Sequence, residues 1–309
     1  MTQETAKHRI QDPILNQLAQ GYYNAELVAD TLMPVVEIPK EAGKIPQFGR
    51  LAFRQQSTVR KLHGESNRLT PEDITSINVE LEEHDIEYPI DYREEQEASY
   101  QLKEYALTVT QDVIALGREL EVADIAQDIQ NYDANNKMAL SGSSTFSNLN
   151  VDPIPVFDSA INAILTSTGR KPNVCVIAGD VWEVLKLNNT LLERIKYTRT
   201  AILTPEVFAE LIGVKYVKIG NAMQEKSGNL EKIWSDSVIL AYVSPLAIEK
   251  KGKIFEPSYG YTVRRQKGLF VDTYQEKGGK VEIIRCTDIH KPHLVGKSAG
   301  YLIKPCLTR

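Results

Sequence analysis

Residues 92–130 read YREEQEASYQLKEYALTVTQDVIALGRELEVADIAQDIQ, and this stretch carries the strongest helical pattern in the chain. Its apolar residues recur at steps of three and four, the spacing of one face of an α-helix. The members of this stripe are Ala98, Leu102, Tyr105, Val109, Val113, Leu116, Leu120 and Ala123. Asp91 precedes the stretch as a candidate N-cap, with acidic residues in the first turn. The pattern predicts one helix, about 55–60 Å long, laid across a sheet.

The charge reverses sign within the segment just before this helix. Residues 44–68 hold six basic residues against one acidic residue, whereas residues 80–97 hold nine acidic residues against one basic residue. Between them, polar and apolar residues alternate over 74–81, which is strand periodicity. We predict a long two-stranded loop that rests on another surface, because an isolated hairpin is marginally stable. A disordered, solvated charge run is the alternative interpretation.

The remaining segments predict an arm and a mixed α+β domain. Prolines 34, 39 and 46 make residues 1–44 an extended arm. Residues 131–151 are polar and predict a mobile loop. Beyond them, Asp180 is expected to cap a helix that continues through Ile195, and Thr204-Pro205 to open another. Strands are predicted at 174–177, 214–219, 238–243, 259–265, 270–274, 281–286 and 301–303, with Gly278-Gly279 as a hairpin turn.

Composition excludes several classes of protein. The net charge of −5 gives no basic excess for gripping nucleic acid. The three cysteines, Cys175, Cys286 and Cys306, are far apart and form no CxxC pair, so reduced thiols are expected. The first residues have no apolar stretch typical of a signal peptide, and the longest aliphatic run, 238–243, is too short to span a bilayer. These features predict a soluble protein.

Motifs for catalysis are weak throughout. Gly296-Lys297-Ser298 resembles the end of a P-loop, but Lys291 stands where the first glycine is needed and a strand pattern follows. His290 and His293 flank Pro292 without a third ligand nearby, which favours a structural pair over a metal site. The acidic band has no spacing typical of a cation-binding loop. We therefore predict no enzyme activity, no catalytic residue, no metal site and no cofactor.

Complementary charge on neighbouring segments instead predicts contacts between copies of the chain. Head-to-tail contacts of this kind close into rings or shells. Each exposed ion pair contributes only about 0–1 kcal/mol, so many pairs would set register more than strength. The proposed contacts join Arg50, Arg54, Arg60, Lys61 and Arg68 of one subunit to Glu82, Glu83, Glu87, Asp91 and Glu94 of the next.

The order of arm, two-stranded loop, long helix, α/β domain and returning strands resembles the major capsid protein of tailed phages, with the HK-ninety-seven-type fold. Short segments from about residue 22 to 303 carry the resemblance. They are LVADTLMPVVEIP (27–39), YPID (88–91), RIKY (194–197), PSYGYTVRR (257–265), FVDTY (270–274), VEII (281–284) and AGYLI (299–303).

The resemblance implies a division of the chain and a function. The implied parts are an N-terminal arm (1–44), an E-loop (45–90), a P-domain with the spine helix (91–150), an A-domain (151–244) and return strands of both domains (245–309). The implied function is self-assembly, as pentamers and hexamers, into an icosahedral shell that encloses double-stranded DNA without sequence-specific binding. Implied partners are a separate scaffolding protein, a portal and a decoration protein, with no membrane. The protein would be assembled in the host cytoplasm and reside in the virion.

Two other functions remain open at this point. An encapsulin-like nanocompartment shell shares the fold and carries protein cargo, and gene neighbourhood would separate it from a phage capsid. A metal- or nucleotide-dependent enzyme with an α/β core is the third interpretation. It requires a convergent acid–base or metal constellation, which bound metal or nucleotide in the purified protein would indicate.

Overall fold

The computed structural model describes residues 15, 27–46, 59–60, 62, 65–67, 76–98, 101–196, 202–249, 257–276 and 278–308. The helices in this part of the chain are α1 (Ala29–Leu32), α2 (Tyr92–Glu97), α3 (Leu102–Gln127), α4 (Ile154–Thr168), α5 (Gly179–Leu185), α6 (Asn189–Ile195), α7 (Pro205–Ile212) and α8 (Pro245–Ile248). The strands are β1 (Val35–Ile38), β2 (Ala42–Pro46), β3 (Ser76–Glu80), β4 (Glu82–Asp91), β5 (Lys137–Met138), β6 (Val174–Ala178), β7 (Tyr216–Gly220), β8 (Met223–Lys226), β9 (Asn229–Lys232), β10 (Val238–Ala241), β11 (Gly260–Arg265), β12 (Phe270–Glu276), β13 (Val281–Leu294) and β14 (Gly300–Ile303).

One five-stranded sheet, here called the apolar sheet, has the order β5-β14-β10-β6-β7. Its central strands read VCVIA and VILA, and every one of these side chains is buried. Continuous apolar runs are typical of strands covered on both faces. Rings from the helices complete the core, with Phe157 5.1 Å and Trp182 5.8 Å from the Phe208 ring. This region is the α/β part of the predicted fold.

The other five-stranded sheet, here called the charged sheet, is built on the 14-residue strand β13. Strand β4 pairs with β13 along 281–290, β12 pairs along 281–287, and β11 pairs along 290–294, all antiparallel. Strand β1 joins the far edge in parallel with β11. The end of the arm and the acidic segment are therefore both strands of one sheet.

Strands β2 and β3 form a separate antiparallel pair, from Ala42 opposite Glu80 to Pro46 opposite Ser76. Ile77 and Val79 turn towards the protein, while Asn78 on the opposite face is exposed. The predicted strand alternation is thus confirmed, whereas the long two-stranded loop stays a prediction. Most of the loop that joins these strands lies outside the described residues.

The prediction of one helix over 92–130 is wrong. Helix α2 ends at Glu97, and its C-cap Ala98 has the extended conformation φ −65°, ψ 130°. Helix α3 then runs for 26 residues, or about 39 Å. The predicted cap is confirmed, because the Asp91 carboxylate accepts the Arg93 amide at 3.0 Å and closes a capping box with Glu94.

The predicted apolar stripe of this helix is also partly wrong. Tyr105 and Val113 are 49% and 47% exposed. The buried face lies one position away and consists mainly of small and polar residues. Its members are Leu102, Ala106, Leu107, Thr110, Gln111, Ala115, Glu119, Val122, Ala123 and Ala126. This face packs against β4 and β13, and its polar members are tolerated where hydrogen bonds compensate them.

Two further expectations need correction. Residues 131–151 are tied down, since β5 pairs with β14 and Phe146 is 1% exposed. The helix expected from Asp180 through Ile195 is two helices. Asn188 separates them by accepting the Thr190 and Leu191 amides at 3.0 and 3.2 Å, and Asp180 instead accepts the Val181 and Asp236 amides at 2.9 and 3.0 Å.

Other expectations are confirmed. The Thr204 side chain accepts the Val207 amide at the start of α7, which has Pro205 at its first position. Gly278 and Gly279 have φ values of 70° and 83° in the turn between β12 and β13, a region open to glycine. The predicted strands are present, although β13 is much longer than expected. No helix in the described ranges has the length and apolarity needed to cross a bilayer.

Candidate inter-subunit surface

The structure describes one of the five basic residues of the predicted contact. Arg60 is exposed, and Arg50, Arg54, Lys61 and Arg68 lie outside the described residues. Their pairing with an acidic surface of another copy therefore stays a prediction.

On the acidic half, Glu82 at the start of β4 has a partner within the subunit. Its carboxylate forms an ion pair with Lys291 of β13. The hydrogen bond from Lys291 lowers the pKa of Glu82, and the same bond raises the pKa of Lys291. Both side chains are exposed, so the pair contributes only about 0–1 kcal/mol and is open to exchange with another partner.

Glu87 is also engaged within the charged sheet. It accepts a hydrogen bond from the Tyr274 hydroxyl at 2.8 Å and lies 3.6 Å from the Arg285 guanidinium. The bond to Glu87 raises the pKa of Tyr274 to about 12. Arg285 in turn donates to the buried Asp272, with Nε 3.1 Å from Oδ1. Glu87 is thus the outer member of a chain of charges across β4, β12 and β13.

The remaining acidic residues divide between helix capping and the outer surface. Asp91 caps α2, and Glu94 completes the capping box by accepting the Asp91 amide at 3.4 Å. Glu83 is exposed on β4. Glu82, Glu87, Asp91 and Glu94 are therefore already bonded inside the subunit. A contact from a neighbour would add to these bonds or replace them.

Beneath this surface lies a buried ionic cluster that the sequence did not predict. Asp288 of β13 is 1% exposed and accepts a 2.7 Å hydrogen bond from Arg264, and it lies 3.1 Å from His290 Nδ1 and 3.9 Å from Arg118 of α3. Burial alone would raise the pKa of Asp288, but His290 and Arg264 outweigh it and hold that pKa well below its usual range. Arg118 also reaches Asp30 of α1 at 3.2 Å.

Several polar atoms of this cluster have no hydrogen-bond partner among the described residues. They are Nε of Arg118, Nε of Arg264, Oδ1 of Asp288, both ring nitrogens of His290 and Nε2 of His84. His290 stacks on the His84 ring with centroids 4.4 Å apart. The 3.1 Å approach of His290 to Asp288 is therefore an electrostatic contact without hydrogen-bond alignment. Nothing in a linear sequence signals this cluster, since its members come from five elements.

Glu119 is a second buried charge, placed on the inner face of α3. Its carboxylate accepts the Val28 and Ala29 amides at 3.1 and 2.8 Å and the Trp234 indole N–H at 2.6 Å. Burial raises the pKa of Glu119, and these three donors offset part of that rise. The residue joins the arm, the long helix and the segment that leads into β10 of the apolar sheet. The sequence could have signalled this residue, because it lies four positions after Ala115 and three before Val122. These spacings place Glu119 on the same helix face as two buried residues.

Among the described residues, one group of ligand types is close enough to hold a cation: Glu82, His84 and Glu121, with one ligand atom of each within 4.8 Å of the others. Lys291 already places an ammonium on Glu82. One of the two negative charges of the group is therefore paired from within the chain.

The cysteines show no sign of nucleophilic chemistry. Cys175, Cys286 and Cys306 are free and buried. Burial raises the pKa of Cys286 to about 12 and raises those of the other two thiols further. A thiol nucleophile requires the opposite shift, because the reactive form is the thiolate.

Comparison with known proteins yields a relative over nearly the whole chain. The major capsid protein of Burkholderia phage BcepMu is 43% identical over 299 residues, which cover 96% of this chain and 97% of that protein. No family model matches the sequence.

Solved structures give the same fold. A phage-related protein from Bordetella bronchiseptica superposes with a TM-score of 0.81 and 28% identity, covering 96% of this chain and 98% of the other. The mature capsid of bacteriophage PhiM1 superposes with a TM-score of 0.54 and 12% identity, covering 92% and 87%, and this likeness concerns the fold alone. The fold is thus the HK-ninety-seven-type capsid fold. The chain belongs to the family of tailed-phage major capsid proteins.

Proposed function

We propose that this chain assembles as pentamers and hexamers into the icosahedral head shell that encloses the double-stranded DNA of a tailed phage. The observation that carries the proposal is the 43% identity with a phage major capsid protein over 96% of the chain. Shared sequence over 96% of the chain includes the arm and loop as well as the core. The subunit's mildly acidic composition suits a wall that encloses DNA without adhering to it.

We further propose the division into arm (1–44), E-loop (45–90), P-domain with spine helix (91–150), A-domain (151–244) and return strands (245–309). The pairing of β2 with β3 supports a two-stranded loop that starts near residue 45. The pairing of β4 with β13 supports a close link between the end of that loop and the return strands.

An encapsulin-like shell is the less favoured alternative. The capsid relatives that share sequence, at 43% and 23% identity, are both phage major capsid proteins. A purely structural role without enzyme activity is supported by the buried thiols and by the ion-paired carboxylates of the acidic band. By the same proposal, the chain is assembled in the host cytoplasm, resides in the virion, and meets scaffolding, portal and decoration proteins there.

The proposed contact between copies places the basic loop residues over the acidic start of β4 and α2 on a neighbour. The exposed, exchangeable Glu82–Lys291 pair and the exposed Glu83 support it, because both offer carboxylate oxygens at the surface. Each bond is weak, so the contact gains strength only when repeated over many copies.

Expression of the chain followed by negative-stain electron microscopy tests the function. We expect closed shells, and an absence of particles under conditions where the subunit is folded would contradict it. The triple variant Arg54→Glu, Arg60→Glu and Lys61→Glu tests the contact and should prevent assembly while the subunit stays folded. A control with the same charge change at the exposed Lys171, Lys218 and Lys280 separates pairing from net charge, and equal loss in both would refute the pairing.

A further inference from the structure

Strands β8 and β9 form a hairpin that pairs only with itself among the described residues. Ser227 and Gly228 at its tip have φ values of 54° and 83°, the signature of a tight turn that matches the twist of two strands. Nine of its ten residues are exposed and the tenth, Gln224, is half-buried. An isolated two-stranded hairpin is marginally stable in water, so this one needs a support.

Within the described part of the chain, the contacts that support the hairpin are at its root, residues 222 and 233. Ala222 and Ile233, which flank the two strands, are 7% and 6% exposed and bonded to each other at 3.0 Å through the Ile233 amide. The Ile233 carbonyl accepts a 2.8 Å bond from Gln127 of α3, and the next residue, Trp234, is buried against Glu119. The hairpin therefore has a fixed root, Ala222 and Ile233, and an exposed blade, residues 223–232.

The two faces of the blade differ in character. Cross-strand pairing puts Met223 opposite Lys232 and Glu225 opposite Leu230 on one face. On this face Leu230 is 70% and Met223 is 43% exposed, and the two are diagonal neighbours. The opposite face holds Gln224, Lys226, Asn229 and Glu231, which are all polar.

We propose that the Met223–Leu230 face of this hairpin docks against a second copy of the chain, and this inference rests on the proposed assembly. The charges of this face favour a second copy of the chain as the partner, because the apolar pair is flanked by one acidic residue, Glu225, and one basic residue, Lys232. The ten residues 223–232 carry two acidic and two basic residues, hence no net charge. A nucleic acid or an anionic membrane would require a basic surface instead.

The size of the surface fits a contact that is one of several. A stable pairwise interface buries roughly 800 Å² on each partner. One face of a ten-residue hairpin offers less area than this. In a closed shell each copy touches several others, so small apolar contacts of this kind add up. A fixed root also limits the entropy lost when the blade is covered.

The test uses paired variants of neighbouring residues on opposite faces. Leu230→Cys and Asn229→Cys each add one exposed thiol to a chain whose own cysteines are all buried. Maleimide labelling is compared between assembled shells and dissociated subunits. We expect labelling of Leu230→Cys to slow by about tenfold or more in shells, while Asn229→Cys changes by less than about twofold.

A second pair measures the consequence for assembly. Leu230→Glu and Asn229→Glu add the same charge to the same strand, and both positions are exposed, so neither variant should unfold the subunit. We expect Leu230→Glu to reduce the yield of shells by about tenfold and Asn229→Glu to leave it within about twofold. Circular dichroism of the soluble subunits checks that both variants are folded.

The outcomes separate the inference from the function on which it rests. If the unmodified chain forms no shells, the proposed function fails. If it forms shells whose Leu230→Cys thiols label as fast as in free subunits, the docking inference fails and the function stands. Protection that appears only after another protein is added to the shells would also overturn the inference.

Discussion

The apolar sheet and the charged sheet have five strands each but bury different kinds of residue. In β6 and β10 every buried side chain is apolar, from Val174 to Ala178 and from Val238 to Ala241. In the charged sheet, Asp272, Asp288 and His290 are buried beside apolar neighbours such as Val271 and Ile284. The first sheet is stabilised by removing apolar area from water, and the second depends in addition on charges that must find each other.

This difference predicts which part of the subunit is more sensitive to substitution. An apolar core tolerates a smaller side chain at the cost of a cavity. A buried ion pair contributes little net stability, yet losing one partner leaves an uncompensated charge in a dry environment. We therefore expect the charged sheet to respond more strongly to single substitutions, and to respond to pH as well.

The largest effect should come from Asp288→Asn. This change leaves Arg264 and Arg118 without their buried counter-charge, and we expect it to lower the free energy of unfolding by about 3–5 kcal/mol. Urea denaturation of the unassembled subunit measures the loss, with Asp158→Asn at an exposed site as the matched control. A loss below about 1 kcal/mol would show that the cluster does not matter for stability.

In the apolar sheet, Ile177→Ala removes side-chain volume from a site that is 0% exposed. The expected loss is about 2–4 kcal/mol, from lost transfer free energy plus the cavity. Unlike the loss at Asp288, it should be the same at pH 3 and pH 7, because no titrating group is involved. A strong pH dependence of this loss would contradict the comparison of the two sheets.

Glu119→Gln should lower the free energy of unfolding by about 1–3 kcal/mol. The carboxylate accepts from its donors with two oxygens, whereas an amide offers only one acceptor oxygen. The pKa of Glu119 is raised in the folded state, so its ionisation destabilises the subunit as pH rises above about 4. The difference in free energy of unfolding between wild type and this variant should therefore shrink with rising pH.

The pKa of Asp288 is lowered in the folded state, so the difference in free energy of unfolding between wild type and Asp288→Asn should have the opposite trend. It should be largest above about pH 4 and shrink as pH falls below it. Denaturation curves of both variants between about pH 2 and 7 measure the two trends, and trends of the same sign would refute the assigned shifts.

The smallest effect is expected at the exposed rim of the charged sheet. Glu87→Gln keeps an acceptor for the Tyr274 hydroxyl and removes one exposed charge near Arg285. The expected loss is about 0–1 kcal/mol at low salt and less at high salt. Spectrophotometric titration should also show the pKa of Tyr274 returning from about 12 towards its ordinary value.

Local signals predicted much of the fold. Asp91 and Thr204-Pro205 marked helix starts, Gly278-Gly279 marked a turn, and apolar runs marked the strands of the apolar sheet. The prediction of one helix over 92–130 failed because its periodicity gave no sign of the extended residue Ala98. The buried face of α3 was mispredicted because periodicity cannot tell a stripe that faces the core from one that faces outward. Tyr105 and Val113 belong to the outward stripe. The hairpin of β8 and β9 went unpredicted because its short strands are polar on one face and lack a continuous apolar pattern.

For the candidate surface, the sequence located opposite charges but not their partners. Glu82, Glu87 and Asp91 were read as a surface for a neighbour, and the structure bonds each of them within the subunit. Pairing of β4 with β13 places them opposite residues about 200 positions away, a separation that no local pattern encodes.

The mixed α+β class, the reversal of charge before the long helix and the resemblance to capsid proteins could all be read from the sequence. These depend on residue type and spacing, which act over a few residues. The tertiary structure was needed to show which face of α3 is buried, why Glu119 and Asp288 can lie in the interior, and which residues share the exposed apolar face of the hairpin. Each of these depends on donors, counter-charges or cover supplied by distant segments, and burial of a charge is acceptable only where such partners converge.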